Sequence, residues 1–290
     1  MSTFIQLTVN GLANGAILAL AALGFVLIFK ATGVINFAQG EFLLIGAYVV
    51  WAGMVTFGLA WPLAVLLGIV VAIGMGVAIE RSVLRPMVGE SAIAVIMVTI
   101  GLSAVLRSLV QGIWGTNLRK MPTIIPDVSV VLFGAPLPEN RLWAIGIALV
   151  ALAAFALFFR KSHFGVAMRA VADDQQAAMV MGISVRRIFA LSWALAAVSA
   201  VFGGVLVAIM IGVSIGVASF GLLVFAVVIV GGLDSIAGAL IGGLIIGLTR
   251  QYVAGYVSAG LGEVVPYLVL VLVLLIKPYG MFGEVRIERV

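Results

Sequence analysis

Residues 8–29 read TVNGLANGAILALAALGFVLIF, a run without a single charge. A helix rises 1.5 Å per residue, so this run spans about 33 Å, close to the roughly 30 Å hydrocarbon core of a bilayer. Comparable runs follow at Phe42–Gly58, Pro62–Ile79, Ser91–Trp114, Leu142–Phe159, Ile188–Ile211, Phe220–Val230, Ile236–Val257 and Val264–Ile276. The pattern predicts an all-α, polytopic transmembrane bundle of about eight to ten spans. It forms a single membrane domain over residues 1–290. The run at Phe220–Val230 is short for a full crossing and is expected to be half of a broken helix.

Composition agrees. Of 290 residues, 64% are hydrophobic and 9% charged, with a mean hydropathy of +1.33. A soluble domain carries roughly 25% charged residues, so lipid is the natural solvent here. The net charge of +5 comes from basic residues in the loops between apolar runs, which is membrane topology rather than a nucleic-acid surface. There is no cysteine and a single histidine, His163, so thiolate chemistry is excluded and no metal or cofactor is implied. No basic residue precedes the first apolar run, so that helix is expected to be retained rather than cleaved as a signal peptide.

Lysine and arginine set the orientation. Residues 160–187 hold Arg160, Lys161, Arg169, Arg186 and Arg187, which places this loop in the cytoplasm. Counting outward puts Arg81, Arg85, Lys277, Arg286 and Arg289 inside. Arg119, Lys120, Arg141 and the amino terminus fall outside. The outer loop 115–141 contains Pro122, Pro126, Pro136 and Pro138, so it reads as extended and turn-rich. It is either a plain connector or a platform for a solute-binding partner.

Within the cytoplasmic loop, FGVAMRAVADDQQAAMVMGISVRRI predicts a helix over Gly165–Val171 and another over Gln175–Met181. Asp173 or Asp174 caps the second and Gly182 ends it. An alanine- and methionine-rich face between basic flanks should dock, on either another protein or its own bundle. Small residues at four-residue spacing, Gly238, Gly242, Gly243 and Gly247, with Gly11 and Gly15, predict close helix packing.

Polar residues among apolar ones are the default functional candidates. Asn36, Gln39 and Glu41 interrupt the join of the first two spans, and Ser219 stands just before the seventh, beside Phe220 at its start. They line a solute path or gate, or else the first three cap helix ends at the cytoplasmic face. GVINFAQGEFLL at Gly33 and GVASFGLL at Gly216 also echo each other weakly, with opposite predicted orientation, as in an inverted repeat. Asn14 suits an interhelical hydrogen bond. Arg107 and Arg250 snorkel to the outer boundary, form a cationic rim, or pair with Glu263. His163 reads as an interfacial side chain.

The cytoplasmic segment resembles the coupling loop of the branched-chain amino acid permease family of ABC importers, through Gly165, Arg169, Ala170, Asp173, Ala177, Gly182 and Ile183. NGLANGA at Asn10, INFAQGE at Ile35, GAY at Gly46, VGGLDSIAGA at Val230, the pair Gly242-Gly243 and KPYGMFG at Lys277 extend the resemblance over nearly the whole chain. Gln39 stands where many members have histidine, and Asp234 where many have glycine. The resemblance implies a multi-pass permease of a bacterial-type inner membrane. It would pair with a second homologous permease, as a heterodimer or a homodimer, with two ATP-binding subunits inside and a solute-binding protein outside. Coupling would run through Gly165, Arg169, Ala170, Asp173, Asp174, Ala177 and Gly182. The cargo would be branched-chain amino acids or, in the same class, urea, short amides, or other amino or organic acids. No Gly-x-x-x-x-Gly-Lys-Ser/Thr loop occurs, so the chain is not an ATPase and no enzyme is expected. The competing classes are an ion-coupled carrier, which would transport unaided, an intramembrane hydrolase, which lacks its residues here, and a purely structural subunit, which leaves the coupling pattern unexplained.

Overall fold

The computed structural model describes residues 2–123, 128–132 and 135–283. Pro126, Arg286 and Arg289 lie outside the described residues. Among the described residues eleven α-helices run in order: α1 Ser2–Thr32, α2 Gln39–Val55, α3 Trp61–Ile79, α4 Ala92–Trp114, α5 Glu139–Lys161, α6 His163–Asp173, α7 Gln175–Val180, α8 Val185–Ile211, α9 Gly216–Gly231, α10 Ile236–Tyr256 and α11 Ala259–Ile276. Nine of them coincide with the expected apolar runs. Among the described residues, seven are long and apolar enough to cross a membrane, while α2, with 17 residues, and α9, with 16, are shorter. The short run expected at Phe220–Val230 is α9, which starts four residues earlier, at Gly216, and is still only 16 residues long. Likewise α2 starts at Gln39 rather than Phe42, which brings Gln39 and Glu41 into its first turn. Among the described residues of loop 115–141, two short strands, Ser129–Leu132 and Ala135–Pro138, form an antiparallel ribbon. Arg141 belongs to α5, not to the loop.

The helix α1 is the axis of the bundle, buried continuously from Gly15 to Ile28 and packed along α10, α8, α5 and α9. Around it, α3, α4 and α11 turn Leu63, Leu66, Ile93, Met97, Leu272 and Leu275 outward. This inside-out character is what lipid permits, since exposing leucine to lipid costs nothing. Small residues and backbone contact then drive helix association. The glycines act accordingly. A Cβ on Gly243 would lie 2.6 Å from Gly15 O, and one on Gly247 2.5 Å from Gly11 O. Gly242 instead faces Val227 O of α9 at 2.5 Å, and Gly238 faces Gly231. The expected single glycine face of α10 is therefore two faces, one for each neighbour.

Two sets of three helices repeat the same contacts. The helix α1 packs along α10 through Gly15 and Gly243, while α8 packs along α3 through Trp193, Ala194 and Gly76. The short helices α2 and α9 occupy matching places between them. They run in opposite directions: Trp51, late in α2, donates to Lys120 O, whereas α9 ends beside Phe282 and Gly283. The echo at Gly33 and Gly216 marks the start of these two elements.

The two ends of the bundle differ. One carries α6 and α7 together with the carboxyl ends of α1, α3 and α11, and so Arg81, Arg85, Arg160, Lys161 and Lys277. The other carries the strands, the amino end of α1, Arg119 and Lys120.

Candidate functional site

Residues 33–38 leave the end of α1 and turn back into the bundle, where Asn36 and Gln39 are fully buried. Backbone groups at that depth have no water to satisfy them and must find partners in the protein. Asn36 Oδ1 accepts from Ala38 N at 3.0 Å, starting α2, and Asn36 Nδ2 donates to Gln39 Oε1 at 3.4 Å. Gln39 Nε2 donates to Ala21 O at 3.3 Å, anchoring the turn to the middle of α1. Thr99 of α4 supplies the rest: its hydroxyl accepts from Phe37 N at 3.3 Å, and its one proton lies between Ile96 O at 2.9 Å and Ile35 O at 3.2 Å.

One turn further on, Glu41 meets Arg107 of α4. Arg107 Nη2 donates to Glu41 Oε1 at 2.5 Å and Nε donates to the same oxygen at 3.1 Å. The Glu41 side chain is 2% exposed and that of Arg107 is 44%. The pair opens into a cleft lined also by Phe37, Gly40, Ile100, Ser103, Ser219, Leu222 and Phe225. Ser103 and Arg107 lie four residues apart and so share one face of α4. The first turns of α2 and α9 abut there: a Cβ on Gly221 would lie 2.7 Å from Gly40 Cα. Two helix N-termini, each with partial positive charge, thus converge beside one carboxylate. Phe220 is half-buried at the edge of this contact.

The α6–α7 hairpin is the second candidate region. Ser162 caps α6, and Asp174 caps α7 by accepting from Gln176 N at 2.8 Å and Ala177 N at 3.0 Å. Gly165 leaves no space for a side chain against Phe159 O, and Arg169 donates to that same carbonyl. Gly182 ends α7 at a φ of 80°, where a Cβ would be strained. The residues singled out from the sequence therefore divide. Gly165, Arg169, Asp174 and Gly182 shape the hairpin, while Asp173 and Ala177 are exposed and Ala170 is half-buried. What the hairpin presents outward is apolar: Met179, Val180 (86% exposed) and Met181 (80% exposed).

The family described as "Branched-chain amino acid transport system / permease component" matches residues 7–274 of this chain. The chain belongs to this permease family. Escherichia coli K12 LivH, a high-affinity branched-chain amino acid transport system permease protein, is 33% identical over 301 residues, covering 99% of this chain and 98% of LivH. Pseudomonas aeruginosa BraD, named for the same transport system, is 30% identical with the same coverage. The solved structure "PsaBC from Streptococcus pneumoniae in complex with Fab" shares the fold at a TM-score of 0.51 and 14% identity, over 96% of this chain and 94% of that one. This is an ABC importer permease, a multi-pass protein of the cell's inner or plasma membrane and not itself an enzyme.

The permease's two intrahelical arginines resolve differently. Arg250 pairs with Glu263, as one of the sequence readings allowed. Arg107 does not pair with Glu263, because α4 brings it to Glu41, 66 residues away. Asn14 does bridge helices, donating to Gln251 Oε1 at 3.4 Å, and His163 is exposed at the start of α6. Sequence reasoning missed Thr99 and Ser103, because a lone threonine or serine in an apolar helix is ordinary. It expected the hairpin's methionine-rich face to dock, but not that Met179, Val180 and Met181 would be left exposed. Only the four-residue spacing of Ser103 and Arg107 was a visible signal.

Proposed function

We propose that this permease is one half of the membrane path of an ATP-driven importer for branched-chain amino acids, completed by a second, homologous permease, most simply as a heterodimer. The observation that carries the reading is the Glu41–Arg107 pair, at membrane depth and with a guanidinium nearly half exposed. A charge in that position is expensive against lipid but not against a hydrated, protein-lined passage. The face of α4 with the first turns of α2 and α9 is accordingly the wall of the path. Gln39 and Asn36 hold that wall in place from behind.

Coupling follows from the hairpin. On this reading loop 160–187 faces the cytoplasm, and the Met179–Met181 tip seats in a groove of one of two ATP-binding subunits. The cap at Asp174 and the Arg169 contact make the hairpin stiff enough to pass a push to the ends of α5 and α8. Loop 115–141, at the opposite end, receives the solute-binding protein. The substrate assignment draws on the names of relatives about 30% identical.

The test is reconstitution with the partner permease, ATP-binding subunits and binding protein in liposomes, following labelled leucine, isoleucine and valine. ATP-dependent uptake of these three, with urea and short amides failing to compete, is the expected result. Uptake by this chain alone without nucleotide would overturn the importer reading. Preference for urea or an amide would overturn only the cargo.

A further inference from the structure

Arg107 spends two of its donors on one oxygen of Glu41, and among the described residues neither Glu41 Oε2 nor Arg107 Nη1 has a hydrogen-bond partner. The pair therefore keeps one free acceptor on the anion and one free donor on the cation. Both residues line the cleft. Around them the walls are apolar, from Phe37, Ile100, Leu222 and Phe225, with hydroxyls only from Ser103 and Ser219. The converging N-termini of α2 and α9 add partial positive charge, so the corner is richer in cationic than anionic character despite the formal pairing.

We infer that Glu41 and Arg107 form a two-point site for the head group of a zwitterionic α-amino acid, with the apolar wall taking its side chain. The inference rests on the importer reading above and deepens it. The ammonium and carboxylate of an α-amino acid sit on one carbon, so a compact pair can serve both at once. The ammonium donates to Glu41 Oε2, and the carboxylate accepts from Arg107 Nη1. As the ligand arrives, the guanidinium fork can trade its bonds to Oε1 for bonds to the incoming carboxylate, and Glu41 keeps a cation beside it throughout. No buried charge is stranded at any stage. When the ligand leaves, the internal pair re-forms. Such an exchange keeps binding weak, as a path must, because the fork's bonds to the carboxylate replace bonds that it already makes to Glu41 Oε1. Solutes with one charge or none would satisfy only half of the corner or leave it untouched.

The experiment uses the complete transporter in liposomes, comparing wild type with Glu41→Gln, Arg107→Gln and the double variant. Copurification of the partner subunits and ATP-dependent leucine uptake are read for each. Either single change leaves an uncompensated charge, so the double variant, which keeps shape and removes both charges, is decisive. It is expected to copurify normally and to lose leucine uptake at least tenfold, the effect of removing charge-assisted hydrogen bonds to a ligand. Recovery of uptake in the double variant to within about threefold of wild type would make the pair a structural tie and overturn the inference. Failure of the double variant to assemble would overturn it equally. If leucine fails as a substrate for the wild-type complex, the importer's cargo is wrong and this site falls with it, an outcome recognisable from the wild-type arm alone.

Discussion

The seam between α1 and α10 and the hairpin of α6 and α7 both depend on glycine, yet to opposite ends. In the seam Gly15, Gly243 and Gly247 bring backbone against backbone. In the hairpin Gly165 and Gly182 shape a short element whose apolar tip is left uncovered. A seam without room for a methyl group is permanent. Met179, Val180 and Met181 stand in the open, where a loop facing water normally carries polar residues, and on the proposed reading another chain covers them. The first region holds the permease together, and the second is the one proposed to connect it to the ATP-binding subunits.

The strongest way to break this contrast is to fill the seam. Gly247→Leu would set a side chain within 2.5 Å of backbone atoms of Gly11 and Gly15. Over-packing commonly costs about 1–3 kcal/mol, and here backbone rather than side chains must give way. Loss of monodisperse protein on size exclusion is expected, and a wild-type elution profile would show that the seam is not permanent. Next, Val180→Asp or Met181→Asp should leave insertion and elution unchanged while ATP-dependent uptake drops at least tenfold, because a charge is placed in an apolar contact. Full uptake in both would remove the docking role of the tip. Arg169→Glu is expected to act at a distance from any partner, by releasing the hairpin from Phe159 O. Uptake should be abolished with membrane insertion intact, and unchanged uptake would show that the hairpin needs no such anchor. Gly182→Ala, at a φ of 80°, should cost about 1–2 kcal/mol locally and lower uptake a few-fold. The smallest pair sharpens the cap: Asp174→Ala should cost about 1 kcal/mol. Asp173→Ala, at an exposed carboxylate without a hydrogen bond among the described residues, should change stability by less than about 0.5 kcal/mol. Equal effects at the two aspartates in a thermal melt would contradict the assignment of Asp174 as the cap.

How far the sequence could be read follows the range of the forces involved. The hairpin's helices, its cap and its glycine stop were legible because each depends on residues within four positions of one another. The candidates Glu41 and Ser219 were legible as polar interruptions, and they do share a cleft. Their partner Arg107 was not, since the ion pair joins helices that are not neighbours in sequence. The roles of Asn36 and Gln39 were half legible. Their polarity marked them, but only the turn back into the bundle shows that they bond inward, to Ala38 N and Ala21 O, behind the cleft wall.

The sequence by itself determined that this chain lives in lipid, how many apolar helices it has, where its α6–α7 hairpin lies and which family it joins. Hydropathy, capping and local motifs are properties of short windows. The tertiary structure alone decided that α2 and α9 meet at Gly40 and Gly221, that α10 divides its glycines between two neighbours, and that Arg107 answers Glu41. Those pairings are chosen by which helix faces fit together, and fit is a property of surfaces assembled from distant segments.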